Sequence, residues 1–226
     1  MNTVAVPGTA MVPSMLDSSR NIALACALSA LAGYVDGIGY LHLGGLFVSF
    51  MSGNSTRMAV SLAAGHFAAA ATALGLIALF VAGAACGSLI VLGRGVHRQP
   101  WLLAVEALLL IVAGLAHTTL GFDRLAISII VLAMGLENAV FQIEGGGGLG
   151  LTYVTGALVK VGQLVAAAMT GGARFAWVPN LLLWAALVAG SVGGALAYQW
   201  INLAAIWFAA GAALTLTALV AATIHR

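Results

Sequence analysis

The sequence predicts an all-α polytopic membrane protein made of two inverted repeats, with about six transmembrane helices and two broken or re-entrant helical segments. Three observations predict it. The 226 residues are 62% hydrophobic and 6% charged, with a mean hydropathy of +1.11, whereas soluble domains are near a quarter charged. A water-soluble fold of that make-up would need more core than its surface allows. The apolar runs last about twenty residues, the length of a spanning helix, and lack the alternation of about ten residues that marks a barrel strand. A polar pattern then occurs once in each half of the chain.

Residues 1–21 read as a short cytoplasmic tail. They contain Pro7 and Pro13 but neither a basic start nor a cleavage site, so they do not read as a signal peptide. Asp17, Ser18 and Ser19 offer helix caps before the first apolar run. Eight apolar segments follow, at about 22–43, 46–64, 67–92, 101–120, 125–143, 149–169, 177–198 and 201–224. The first repeat covers 22–120 and the second 121–226.

The repeat rests on an order of residues. Asp36 aligns with Glu137 and Tyr40 with Phe141. Ser52-Gly53 aligns with Thr155-Gly156 after a longer glycine loop, and Arg57 with Lys160. Later, VAGAACGSL (81–89) aligns with VAGSVGGAL (188–196). Basic residues decide how segments 2 and 6 run, because they favour cytoplasmic loops. If all eight segments cross, Arg94 and Arg98 fall outside. If segments 2 and 6 return to the side they entered from, Arg20, Arg94, Arg98, Arg174 and Arg226 fall inside and Arg124 alone falls outside. The second arrangement fits the bias. It leaves three crossings per repeat, an odd number, so the second repeat is inverted. Both termini are then cytoplasmic. Inverted repeats with interrupted helices are a recurring transporter plan.

The candidate site is made of the polar groups inside these apolar runs. Asp36 and Glu137 lie well within the hydrocarbon layer, and an intramembrane carboxylate suggests function. Arg57 and Lys160 are their obvious counter-charges, and a purely structural ion pair is the alternative reading. Ser52, Gly53 and Asn54 form a break that frees backbone groups and starts a new half-helix. Its positive end would point into the membrane, with Arg57 in the first turn facing Asp36. In the second half Thr155, Gly156 and Lys160 take these parts with Thr152 and Tyr153, while Asn138 and Gln142 add polarity. Tyr40 completes the set.

Gly33 and Gly37, Gly83 and Gly87, and Gly190 and Gly194 are small-residue pairs that let helices approach closely, within one protomer or in a homodimer. Glu106, counted from Trp101, reads as reaching toward the interface. Gly145 to Gly148 read as a flexible connection, and His42 and His117 as interfacial. Trp101, Trp177, Trp200 and Tyr198 read as interfacial anchors.

Several classes are excluded. A net charge of +2 with eight basic residues is no nucleic-acid footprint. Cys26 and Cys86 sit in apolar runs and read as free, buried thiols, with no disulfide or metal site. No enzymatic motif is present, so neither catalysis nor a cofactor is expected.

The order GYVDGIGYL then FVSFMSGNS resembles the signature of the YoaK-like family of uncharacterised bacterial integral membrane proteins. The matching residues are Gly33-Tyr34-Val35-Asp36 and Met51-Ser52-Gly53-Asn54, with Ser52 where threonine is usual. The resemblance covers nearly the whole chain. It implies a bacterial inner-membrane location and about six crossings, and it implies no activity.

The functional expectation is a transporter of a small polar or charged solute, with an acid/base site at the repeat interface and the lipid bilayer as its surroundings. The alternatives are an ion or small-solute channel of the same architecture, or a scaffold or sensor subunit that transports nothing. A lipid-modifying enzyme ranks below these, with Glu106 its one mild candidate.

Overall fold

A backbone in hydrocarbon must satisfy its own N–H and C=O groups, and local helical bonding does this within one segment. The computed structural model describes residues 19–94, 98–140 and 154–224, and every regular element among them is helical. The helices are α1 (Ser19–His42), α2 (Met51–Ala63), α3 (Phe67–Arg94), α4 (Arg98–Thr118), α5 (Asp123–Glu137), α6 (Val154–Met169), α7 (Val178–Ile201) and α8 (Ile206–Ile224). A 3-10 turn, Asn202–Ala205, joins the last two. Four stretches are long and apolar enough to span a bilayer: Ser19–His42, Phe67–Leu92, Arg98–Thr118 and Val178–Thr223. The last has 46 residues and holds both α7 and α8. Asn202, at φ 52°, breaks it in the middle. Residues 141–153, which carry Phe141, Gln142, the Gly145 to Gly148 connection, Thr152 and Tyr153, lie outside the described residues.

Glycine sets which helices meet. A Cβ on Gly190 or Gly194 would collide with the carbonyl oxygens of Ala30 and Tyr34, and one on Gly33 with that of Leu187. Backbone thus packs on backbone between α1 and α7, as small-residue seams permit. The contacts advance together along both helices, so α1 and α7 run parallel. The same holds for α3 and α5, where Gly83 meets Leu132, Gly87 meets Leu136 and Gly135 meets Phe80. The six glycines expected at helix contacts all lie in these two seams.

Other contacts fix the directions. Arg20 of α1, Gln99 of α4 and Thr223 of α8 line one cavity, so these three termini share one end of the molecule. Gly114, near the end of α4, meets Trp207 at the start of α8, so that pair is antiparallel. His117 in the last turn of α4 bonds Asp123 at the start of α5 at 2.6 Å. The Gln99 side-chain amide donates to the Val140 carbonyl at 3.4 Å, so α5 and its tail run back along the whole of α4. Parallel to α5, α3 starts at the end where α1 finishes. The link from α1 to α3, which contains α2, therefore leaves and returns at the same end.

The core is drawn mainly from α1, α4 and α5, including Leu28, Ile38, Leu102, Leu103, Leu110, Ile130, Met134 and Leu136. Two expectations change here. Cys86 is exposed and Cys26 half-buried, both as free thiols, because α3 turns much of its surface outward. Glu106 does not reach for an interface: it is 0% exposed. The helix begins at Arg98 rather than near Trp101, and Glu106 shares its inward face with Leu102, Leu103 and Leu110.

Candidate functional site

After His42 the chain reverses at Gly44 and Gly45, which hold φ 64° and 103°, a region that suits glycine. Residues 46–50 then run back along α1. Val48 is fully buried against Gly39, where a side chain would displace it. Asp36 lies at that level, about 9 Å before the end of α1 at 1.5 Å per residue. Its Oδ1 accepts the N–H groups of Val48 at 2.8 Å and Ser49 at 2.7 Å, and its Oδ2 accepts the Ser49 hydroxyl. Asn54, 0% exposed in the first turns of α2, clamps the Phe47 peptide: Oδ1 accepts its N–H at 2.9 Å and Nδ2 donates to its carbonyl at 2.8 Å. Three successive peptide N–H groups, 47 to 49, are thus held by two side chains. This satisfies backbone that a buried turn would otherwise leave unpaired.

Gly53 leaves room for two rings, since a Cβ there would strike Phe50 and Phe47. Phe47 and Phe50 pack edge to face at 5.2 Å, and Tyr40 packs on Phe47 at 5.1 Å. Helix α2 therefore starts at the depth of Asp36 and runs outward toward His66. Its N-terminal end, which favours negative charge, lies beside the Asp36 carboxylate.

The structure brings together Asp36, Tyr40, Gly53 and Asn54. It does not bring Arg57 to Asp36. Arg57 is exposed and donates to the Gly44 carbonyl at 3.2 Å, bracing the turn. Ser52 faces outward too. On α6, Thr155 and Lys160 are exposed and Gly156 is half-buried, so Lys160 forms no described ion pair with Glu137. Asn138 caps α5 and donates to the Met134 carbonyl at 2.9 Å.

A groove of about 380 Å³ between α1 and α7 reaches Asp36. It is lined by Gly37, Tyr40, Phe47, Ser191 and Ala195 among others. Deeper polar groups accompany it. Glu106 and Glu137 are 0% and 1% exposed, and neither carboxyl has a hydrogen-bond partner among the described residues. Glu137 lies within electrostatic reach of both Glu106 and Asp36. The hydroxyl of Ser29, on α1 two turns before Asp36, is buried and equally unpartnered. No Lys or Arg with a described side chain is buried. Among the described residues no three acidic, His or Cys side chains converge as metal ligands. The sequence reading missed Ser29 and the depth of Glu106. The inward face that Glu106 shares with Leu102, Leu103 and Leu110 was the available signal.

The family described as "Protein of unknown function (DUF1275)" matches residues 24–219. The chain belongs to this family. It is also similar to UPF0700 transmembrane protein RA0705 of Rhizobium meliloti (strain 1021), with 39% identity over 202 residues, 89% of this chain and 86% of that protein. No solved structure matches. The chain is a multi-pass membrane protein whose regular elements among the described residues are all helical, with the lipid bilayer as its surroundings. The YoaK-like resemblance and this assignment agree.

Proposed function

We propose that this DUF1275 protein moves a small polar or charged solute across the membrane, using two inverted halves of three crossings and one re-entrant element each. The observation that carries the reading is the return of residues 46–50 to the level of Asp36. A peptide segment held inside the bilayer by side-chain clamps, with a half-helix leading back out, is the kind of interrupted helix that transporters use for binding. The groove to Asp36 offers solute a way in. The unpaired polar groups of Ser29, Glu106 and Glu137 extend polarity toward the opposite end.

The contact pattern supports two related halves. A shift of 102 residues carries Ala30 to Leu132, Tyr34 to Leu136 and Gly33 to Gly135. A shift of 107 carries Gly83 to Gly190, Gly87 to Gly194 and Phe80 to Leu187. Together they turn each glycine–carbonyl contact of one seam into one of the other. At that register Asp36 corresponds to Asn138 and not to Glu137, so the two halves carry different groups at equivalent places. The end that holds Arg20, Arg98 and Arg174 is the cytoplasmic one by charge bias.

Two measurements test this. In a chain lacking Cys26 and Cys86, cysteines at His42 and His66 should both react with an impermeant reagent from outside intact bacterial cells, and one at Arg174 should not. Labelling of His42 and His66 from opposite sides would make α2 a crossing and remove the inverted arrangement. In proteoliposomes screened against small polar and ionic solutes, Asp36→Asn should reduce flux at least tenfold per folded protein. Normal flux in that variant would take Asp36 out of the mechanism. No flux for any solute, with a co-purifying protein, would favour the scaffold.

A further inference from the structure

Each described helix next to Glu106 and Glu137 was a possible source of a counter-charge. On helix α1 Arg20 is exposed at the terminus, the Tyr34 hydroxyl is spent on the Ala205 carbonyl, and Asp36 is a third acid, already filled by three donors from the re-entrant turn. The described side chains of α3 add only the exposed thiol of Cys86 as a titratable group. Those of α8 add none. On α4 itself Arg98, half-buried in the first turn, makes no ion pair among the described residues, and His117 is engaged by Asp123 at the far end. On α5 Arg124 is exposed. Among the described residues the two glutamates therefore face one another's helices without a cation, without a donor and without exposure. An ionised carboxylate in such a place costs several kcal/mol. Two within mutual electrostatic reach cannot both be charged cheaply, as in other carboxyl pairs that share protons. Among the described residues no third acidic, His or Cys side chain joins the two as a metal ligand.

We propose that Glu106 and Glu137 form a proton-binding site, in which the pair takes up and releases protons inside the membrane. The chemistry is a simple transfer. A water-borne proton adds to a carboxylate oxygen, and the carboxylic acid returns it when the interior opens. The depths suit such a site. Glu106 lies about 12 Å from the start of α4, and Ser29 about 15 Å from the start of α1 at the same end. Asp36 lies nearer the opposite end. The unpartnered Ser29 hydroxyl is the right kind of group to pass a proton or order a water. Use of this site to drive a solute rests on the transport reading above; proton binding itself does not.

The test is infrared difference spectroscopy of the full-length protein in lipid, which needs no knowledge of the solute. At neutral pH the wild type should show a protonated-carboxyl C=O band that shifts in heavy water and disappears as the pH is raised. Glu106→Gln and Glu137→Gln should each change that band, and the double variant should lose most of it. Two results would overturn the proposal: no protonated-carboxyl band in the wild type at neutral pH, or a band that survives intact in a folded double variant. If the glutamine variants do not fold, Glu106→Asp and Glu137→Asp, which keep a carboxyl at each place, should each shift the band, and a band that neither variant moves would overturn the proposal. A titrating band with no flux for any solute keeps the proton site and sinks the transport reading. Flux with no such band does the reverse.

Discussion

Gly194→Ala should destabilise this protein by about 3 kcal/mol or more, at the upper end of what overpacking costs. The added methyl would be built into the Tyr34 carbonyl oxygen. A flexible side chain could swing aside, but a backbone oxygen moves only if the helix moves. Helix α1 cannot retreat alone, because Gly33 and Gly190 hold the same seam at the same closeness. Separation would also strain the Tyr34 hydroxyl bond to the Ala205 carbonyl, 3.0 Å, which ties α1 to the turn before α8. Unfolding in detergent, followed by heat or denaturant, reads the loss. Gly211→Ala on α8 is the control, since nothing lies within 4 Å of the new methyl. It should be neutral or gain up to about 1 kcal/mol from helix propensity. A Gly194→Ala protein as stable as wild type would mean that α1 and α7 do not touch backbone to backbone.

Composition and apolar run length made the fold class legible, because lipid leaves few choices for a backbone. The glycine pairs were legible for the same reason: small residues four apart have few other uses inside an apolar helix. The partners of the polar groups were not legible. The sequence offers Arg57 and Lys160 as cations for Asp36 and Glu137, because side chains are what a sequence displays. In the structure the donors to Asp36 are two peptide N–H groups and one hydroxyl, brought back by a turn at Gly44 and Gly45. Arg57, freed from that duty, braces the turn from outside. Under the two-halves reading proposed above, the seam contacts set Asn138 rather than Glu137 against Asp36, and an acid beside an amide, Glu137-Asn138, lets a sequence alignment slip by one residue. Glu106 was underrated because its helix starts three residues before Trp101. Its depth depends on where the helix starts, and its burial on which face meets α5 and α8.

Asp36→Ala should cost about as much as the glycine substitution, by the opposite route. It adds nothing and leaves three donors without an acceptor: the N–H groups of Val48 and Ser49 and the Ser49 hydroxyl. A buried donor left unpaired costs about 1–3 kcal/mol, and more where the lost bond was to a charged group. Water cannot easily replace the carboxylate, since Val48 and Ser49 are buried. The turn must therefore leave α1 or stay strained. Asp36→Asn separates geometry from charge. Its remaining oxygen can still accept both N–H groups, and the Ser49 hydroxyl can rotate to accept from the new amide, so its cost should be about 1–2 kcal/mol. Loss of the alanine variant's turn has a direct signature. A cysteine at Ser49, shielded from thiol reagents in the parent, should become reactive when Asp36 is alanine and stay shielded when it is asparagine. Equal protection in both variants would show that Asn54, through its two bonds to Phe47, holds the turn by itself. Asp36 would then be spare for the solute rather than committed to the backbone.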